Sequence, residues 1–443
     1  MSGAALHLLL LCDYRKDGAQ TVLDHIDSIV EHSGHKVFLL SMLGDLPDSL
    51  DLIRFDGIII HYSLIISNDN YLSPAARARI REYDGLKAVF IQDEYRWVHR
   101  TCEALEYLGA HVLFTCVPNE EIEKVYPSSR LPGLRKVNVL TGYVPEALLS
   151  RPLVPYSNRK IDVGYRARRL SAFYGELARE KWLIGERFGA DAPRYGLICD
   201  LSSKEHERLY GEAWIEFVSS CKAMLGVESG ASVFDFTGKI QRDVEAYERR
   251  CPSAGFEEIR DRFFPGLDGL IKLNQISPRC FEAAALGTLM ILYEGEYSGV
   301  LIPWKHYVPL KKDHSNMGAV VAALRDEATW THITQAAHGE IACGKTWSYS
   351  TFGRRVGAVL AEAVVQIGAQ TRVRVTYSDA HFEEITSAHR KHMEKLNAQR
   401  ARLASLPWRL ATAFAERGPG WLVRPVRAVW RAWRYGIGTM HRT

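Results

Sequence analysis

Apolar runs and amphipathic stretches alternate along the first third of the chain. Residues 5–12 are almost wholly apolar and predict a buried strand, and residues 21–32 repeat Val22, Ile26, Ile29 and Val30 at the spacing of one helix face. Ser33 and Gly34 end that helix, and residues 35–42 predict the next strand. The step recurs, with strands over 55–61, 86–92 and 111–116 separated by helices over 74–83 and 98–108. Strands that are apolar throughout and alternate with helices require a parallel sheet covered on both faces.

Pro145, Pro152, Pro155, Ser157 and Asn158 interrupt the pattern and predict a linker over 145–160. A second alternation follows, with strands over 161–165, 195–199, 223–227, 289–293 and 306–310 and helices over 173–188, 205–221, 278–286 and 316–325. Residues 238–269 turn polar and helical, as an insertion would. Beyond 328 the pattern is helical only, over 330–342, 352–367 and 380–403. The expected fold class is α/β, with two Rossmann-like domains (1–150 and 151–328) facing across a cleft, helices at 329–370 packing back on the body, and a helical C-terminal extension at 371–443.

Composition changes this picture little: 443 residues, 47% hydrophobic and 24% charged, suit a folded protein with sizeable cores. Eight scattered cysteines, none in Cys-x-x-Cys or zinc spacing, read as reduced thiols of a cytoplasmic protein. The first apolar run has no basic leader and is far shorter than the roughly 20 residues that span a bilayer. Charge is more informative. Residues 405–443 hold seven arginines against one acid, Glu416, a local balance of +6 that leaves −2 for the rest within a total of +4.

Open parallel sheets bind ligands at the carboxyl ends of their strands. In the first half those positions hold Asp13, Tyr14, Ser41, His61, Tyr62, Ser63, Gln92, Asp93, Glu94 and Thr115. His61, Asp93 and Glu94 are the candidates for a general base that takes the proton of an attacking hydroxyl. A second reading has Asp93 and Glu94 capping the helix near Trp97 and His61 packed at a strand end. The sequence leaves both open.

In the second half, IDVGYRARRLSAFYGELAREKW runs from a strand through Arg166 and Arg168 to a helix bearing Lys181. ISPRCFEAAALGTLMILYEGEYSG carries Arg279 and Glu282 on a helix, the small residues Ala283, Ala284 and Ala285, then Gly287 and a buried strand. These stretches resemble the donor half of the group-1 glycosyltransferases, enzymes of the two-domain GT-B type. The resemblance implies a nucleotide diphosphate sugar as donor, no cofactor and no metal, with Arg166, Arg168 and Lys181 clamping the diphosphate and Glu282 holding the ribose. Fixed cations at that place stabilise the charge that grows on a leaving diphosphate. Arg279, one turn before Glu282, either pairs with it or reaches a phosphate. LGVESGASVFDFTGK places Glu228 and Ser229 at another strand end, where small residues let a ligand approach the backbone or simply turn the chain. The chain departs from the family at Asn274, where retaining members carry a glutamate, so the stereochemical course stays open.

The expected activity is transfer of a sugar to an acceptor hydroxyl. A nucleotide-sugar epimerase of the same frame and a membrane-associated scaffold without chemistry are the alternatives. A dinucleotide enzyme is disfavoured, because residues 12–17 lack Gly-x-Gly-x-x-Gly. In the tail, from Trp421 onward, Val426, Trp430 and Trp433 share a helix face among arginines, a pattern for lying in a lipid headgroup layer and thus for a peripheral enzyme with a lipid-linked or cell-surface glycan acceptor. Packing on the enzyme body or between subunits is the other reading, and nucleic acid is not an expected partner.

Overall fold

The structure, a computed structural model, describes residues 5–15, 18–368, 375–391 and 394–395. The 405–443 tail therefore lies outside the described residues, and no described helix is long and apolar enough to cross a membrane. Two parallel sheets organise the chain. The first takes β1 (His7–Cys12), β2 (Lys36–Ser41), β3 (Gly57–Ile60), β4 (Leu86–Ile91), β5 (Val112–Thr115) and β6 (Arg135–Asn138) in the order β2-β1-β3-β4-β5-β6. The second takes β7 (Ile161–Arg166), β8 (Cys199–Ser202), β9 (Cys221–Gly226), β10 (Leu289–Tyr293) and β11 (Val308–Leu310) in the order β11-β10-β9-β7-β8. Each sheet thus starts in its middle, runs to one edge and returns, the doubly wound Rossmann-like order.

Both sheets belong to one compact unit; the described residues from Tyr377 on, with Pro47–Leu50, belong to another, in which 379–391 are helical. In the first unit, apolar side chains fill both faces of each sheet. Leu8, Leu10, Phe90 and Phe114 of the first sheet pack with Ile26 and Ile29 of the Gln20–His32 helix and with Phe352, Val356 and Leu360 of the Tyr349–Gln366 helix. That last helix follows the second sheet in sequence but completes the core of the first. It approaches closely because of two glycines: a Cβ on Gly353 would lie 2.2 Å from the Ser28 carbonyl oxygen, and one on Gly357 would lie 1.8 Å from that of Ser33.

Several elements differ from their expected bounds, each for a local reason. The helix expected from 173 begins at Glu176, since Gly175 at φ +83° breaks it from a short turn over Ala172–Tyr174. The strand expected over 195–199 starts only at Cys199, after a 3₁₀ turn that Gly196 ends in the left-handed region. Edge strand β6, sequence RKVN and half-buried, has none of the apolar continuity of its neighbours and gave no strand signal. The helix expected over 330–342 is α-helical over Glu327–Ala336 and π-helical over Ala337–Ala342.

Candidate functional site: the crevice at the ends of β7 and β9

The order of the second sheet reverses between β7 and β9, and open α/β sheets hold ligands where the loops of such neighbours part. The loop after β7 carries Arg168, and the loop after β9 carries Glu228, Ser229 and Gly230. Lys181, on the Glu176–Asp191 helix, crosses to donate to the Gly230 carbonyl at 3.4 Å. Gly230 sits at φ +114°, and a Cβ there would lie 1.9 Å from the Leu273 carbonyl oxygen, so no larger residue fits this crossing. The helix itself is aimed by its start: Asp268 accepts from the N–H of Glu176 and the Ser232 hydroxyl from that of Leu177, each at 3.1 Å.

Three cations converge here. Burial draws the pKa of half-buried Lys181 down to about 8, with Asp93 of the first half opposing the shift and Arg279 and Arg168 reinforcing it. Arg168 is exposed and has no hydrogen bond or ion pair among the described residues. Arg279, on the Pro278–Ala285 helix, donates to the carbonyl of Arg166 and holds its guanidinium 4.9 Å over the Trp214 ring. One turn on, Glu282 accepts from Trp214 Nε1 at 2.8 Å through one oxygen. Burial raises its pKa, the Trp214 bond and Arg279 pull it down, and Asp24 on the Gln20–His32 helix of the first half raises it again. Glu282 is thus within electrostatic reach of the opposite half.

From that half, Asp93 follows β4 in the left-handed region at φ +59°, exposed, with one oxygen accepting from Tyr95 Oη at 2.9 Å. Non-glycine residues in this region cost roughly 1–2 kcal/mol each and concentrate at functional sites. Trp97 is a second one, at φ +53°. The loop between them is tied to the second half: Asp235 N–H donates to the Tyr95 carbonyl at 2.8 Å, His99 N–H to that of Phe236 at 3.0 Å, and Arg96 Nε to Gln241 at 3.1 Å. Asp93 is therefore held where its field reaches Lys181 across the crevice.

Other expected residues lie elsewhere or are already occupied. Arg166 is satisfied within its own half, donating to the carbonyls of Glu207, Tyr165 and Asp200 and to the Asp200 carboxylate, with Phe217 4.3 Å beneath its guanidinium. It buttresses the β7–β8 edge, with four of its five N–H donors engaged there. Glu228 is held by Asn274 Nδ2 at 2.6 Å and by the N–H groups of Glu296 and Tyr297 at 3.1 and 2.8 Å, so its carboxylate anchors the loop after β10. Asn274, the position left open in the sequence, is the donor to this neighbouring carboxylate. Ser229 joins Gln275 in a two-residue antiparallel bridge through backbone alone.

Glu94 is 3% exposed, behind the sheet edge rather than in the crevice. One of its oxygens accepts from Thr115 and from Tyr126 Oη, the other is buried without a partner, and burial pushes its pKa up to about 8. His61 is fully buried, which excludes contact with a crevice ligand. Its Nδ1 accepts from the Ser63 N–H at 3.1 Å, so its Nε2 carries the proton that is shared with His25 Nδ1 at 3.0 Å.

Burial holds both rings neutral, with the pKa of His25 lowered from 6.5 to about 3. Because these folded-state values lie below the unfolded one, the stability they contribute is complete above pH 6.5 and drains away as pH falls toward 3. Thermal midpoints measured from pH 7 to 4 should therefore fall, and fall less in a His25→Gln/His61→Gln double variant. Equal pH slopes for both proteins would contradict the buried neutral pair.

Trp214, Tyr95, Asp24 and His25 were not singled out by the sequence. Only His25 had a local signal, a position on the apolar face that Val22, Ile26 and Ile29 define. No described cluster of His, Cys, Asp and Glu has the arrangement of a metal site.

No protein-family model matches the sequence, and no curated protein matches it. Among solved structures the chain is similar to an alpha-glucosyltransferase in complex with UDP-glucose and DNA containing an abasic site, at 12% identity, TM-score 0.48, over 81% of this chain and 100% of that one. It is similar also to Anabaena Alr3699/HepE in complex with UDP, at 10% identity, TM-score 0.43, over 81% of this chain and 100% of that one. A third is the sucrose-phosphate synthase of Thermosynechococcus elongatus, at 9% identity, TM-score 0.42, over 82% and 100% of the two chains.

Proposed function

We propose that this chain is a glycosyltransferase of the GT-B type, which binds a nucleotide diphosphate sugar in the β7–β9 crevice and transfers the sugar to an acceptor hydroxyl without a metal. The observation that carries the reading is the convergence of Arg168, Lys181 and Arg279 on one crevice: burial is what chiefly lowers the Lys181 pKa, and both guanidinium groups act in the same direction while Asp93 opposes them. A desolvated ammonium with two guanidinium groups beside it is complementary to a polyanion. As the bond from sugar to diphosphate breaks, charge grows on the diphosphate, and preorganised cations stabilise it. The second oxygen of Glu282 suits a ribose or sugar hydroxyl, and Asp93, oriented by Tyr95, suits the acceptor proton. The acceptor is proposed to be a lipid-linked or cell-surface glycan, a reading that rests on residues 405–443 alone.

A pH titration of binding tests the reading. The Lys181 pKa, lowered from 10.5 to about 8, costs the folded state stability while the amine is charged, fully so below pH 8 and less as pH rises toward 10.5. A bound diphosphate neutralises the crowding and returns that pKa upward. Calorimetry with nucleoside diphosphates should therefore show saturable binding that takes up a proton near pH 8–9 and weakens as pH rises through about 8. Absence of binding across uridine, guanosine, adenosine and thymidine diphosphates would refute the assignment. Incubating the protein with donor sugar alone separates transfer from epimerisation, which needs no acceptor.

A further inference from the structure

The π-helical segment over Ala337–Ala342 brings a cysteine and a histidine together. In an α-helix, residues five apart point to well-separated directions, whereas the wider π turn brings them nearly into line. Here the Cys343 N–H bonds to the carbonyl of His338, five residues back, at 2.9 Å, and the two side chains come together, with Cys343 Sγ 3.4 Å from His338 Nε2. The other ring nitrogen, Nδ1, lies 3.0 Å from the Ala284 carbonyl oxygen. A carbonyl only accepts, so Nδ1 carries the ring proton and Nε2 of the neutral ring is left as an acceptor, facing the thiol. Nucleophile, base and a third group that orients the base form the arrangement that activates a weak nucleophile.

Access distinguishes this thiol further. All eight cysteines are free; Cys12, Cys102, Cys116, Cys221 and Cys280 are buried, Cys199 and Cys251 are half-buried, and Cys343 is the exposed one. The nearest acid on the same turn, Glu340, is engaged by Lys305 at 2.8 Å and His306 at 3.1 Å, and so is turned to other partners.

We propose that Cys343 and His338 form a reactive dyad, a site of covalent modification by small disulfides. His338 Nε2 takes the thiol proton, the thiolate attacks one sulfur of RSSR, the disulfide bond breaks, and the departing RS⁻ takes the proton back from the imidazolium. The products are Cys343–S–SR and RSH. Ala284, which orients the ring, belongs to the helix that also bears Arg279 and Glu282.

The test is the rate at which the intact folded chain releases thionitrobenzoate from dithiobisnitrobenzoate. Wild type should show one equivalent of fast release per chain, Cys343→Ser should lose it, and His338→Gln should slow it by about tenfold or more at an unchanged thermal midpoint. Should His338→Gln fold poorly, His338→Asn keeps an amide donor near the Ala284 carbonyl and still lacks the base, and carries the same expectation. A fast phase that persists without His338 would show that exposure alone makes Cys343 react. One that persists in Cys343→Ser would place the reactive thiol elsewhere. Either outcome overturns the dyad.

Discussion

The double variant Arg168→Ala/Lys181→Ala is expected to bind nucleoside diphosphates at least about 100-fold more weakly than wild type, with the fold unchanged. A hydrogen bond to a charged group contributes about 1.5–3 kcal/mol, so either loss alone is roughly a ten- to hundredfold effect, and the pair need not add in full. Both side chains can be removed without harm to the core. Arg168 is exposed without a described partner, and among the described residues the Lys181 amine donates to one carbonyl, that of Gly230 at 3.4 Å. Removing Lys181 should even raise stability slightly at neutral pH, since its charge is held there against burial and two guanidinium groups. Arg169→Ala is the matched control: it deletes the same charge one residue away, from a guanidinium that pairs with Glu186 and lies 4.3 Å over Trp182. Calorimetry that finds equal affinities in wild type and the double variant would remove the diphosphate from this crevice.

The largest effect on stability is expected from Gly357→Val. The Tyr349–Gln366 helix lies against the end of the Gln20–His32 helix, and any Cβ at 357 would stand 1.8 Å from the Ser33 carbonyl oxygen. The obstacle is backbone, which cannot rotate away as a side chain would. The helix must therefore withdraw, and with it Phe352, Val356 and Leu360 from the core of the first sheet. Overpacking typically costs about 1–3 kcal/mol and more where nothing can yield, as against this carbonyl. Thermal or urea unfolding should show the loss directly. Gly318→Ala, on a helix where a Cβ meets nothing within 4 Å, should be neutral or mildly stabilising. A Gly357→Val protein as stable as wild type would mean that the two helices do not meet in this way.

Much of the framework was legible in the sequence because buried parallel strands need unbroken apolar runs. β1, β4, β9 and β10 stand out for that reason, and the helices between them keep the 3.6-residue period. Half-buried β6 and the displaced β8 did not, since edge strands need no such continuity. The candidate site was legible in part. Arg168, Lys181, Arg279 and Glu282 were marked by strand-to-helix position and by resemblance. Arg166 carried the same mark, yet four of its donors are taken by its own strand neighbour Tyr165, by the Asp200 carbonyl and carboxylate on β8 and by the Glu207 carbonyl, and the last two residues lie 34 and 41 positions on, beyond any local pattern.

The chain by itself determined which residues are strands, which are helices, and that two α/β units follow one another, because those properties depend on neighbours within a few residues. Only the tertiary structure decided which polar groups are free to act. His61 is sealed by a histidine 36 residues away, Glu228 is held by an amide and two N–H groups 46 to 69 residues on, and Asp93 faces Lys181 only because the loop after β4 is tied to the start of the insertion. A charged side chain acts through whatever surrounds it in space. For these residues the surroundings come from distant stretches of chain, and only folding brings them together.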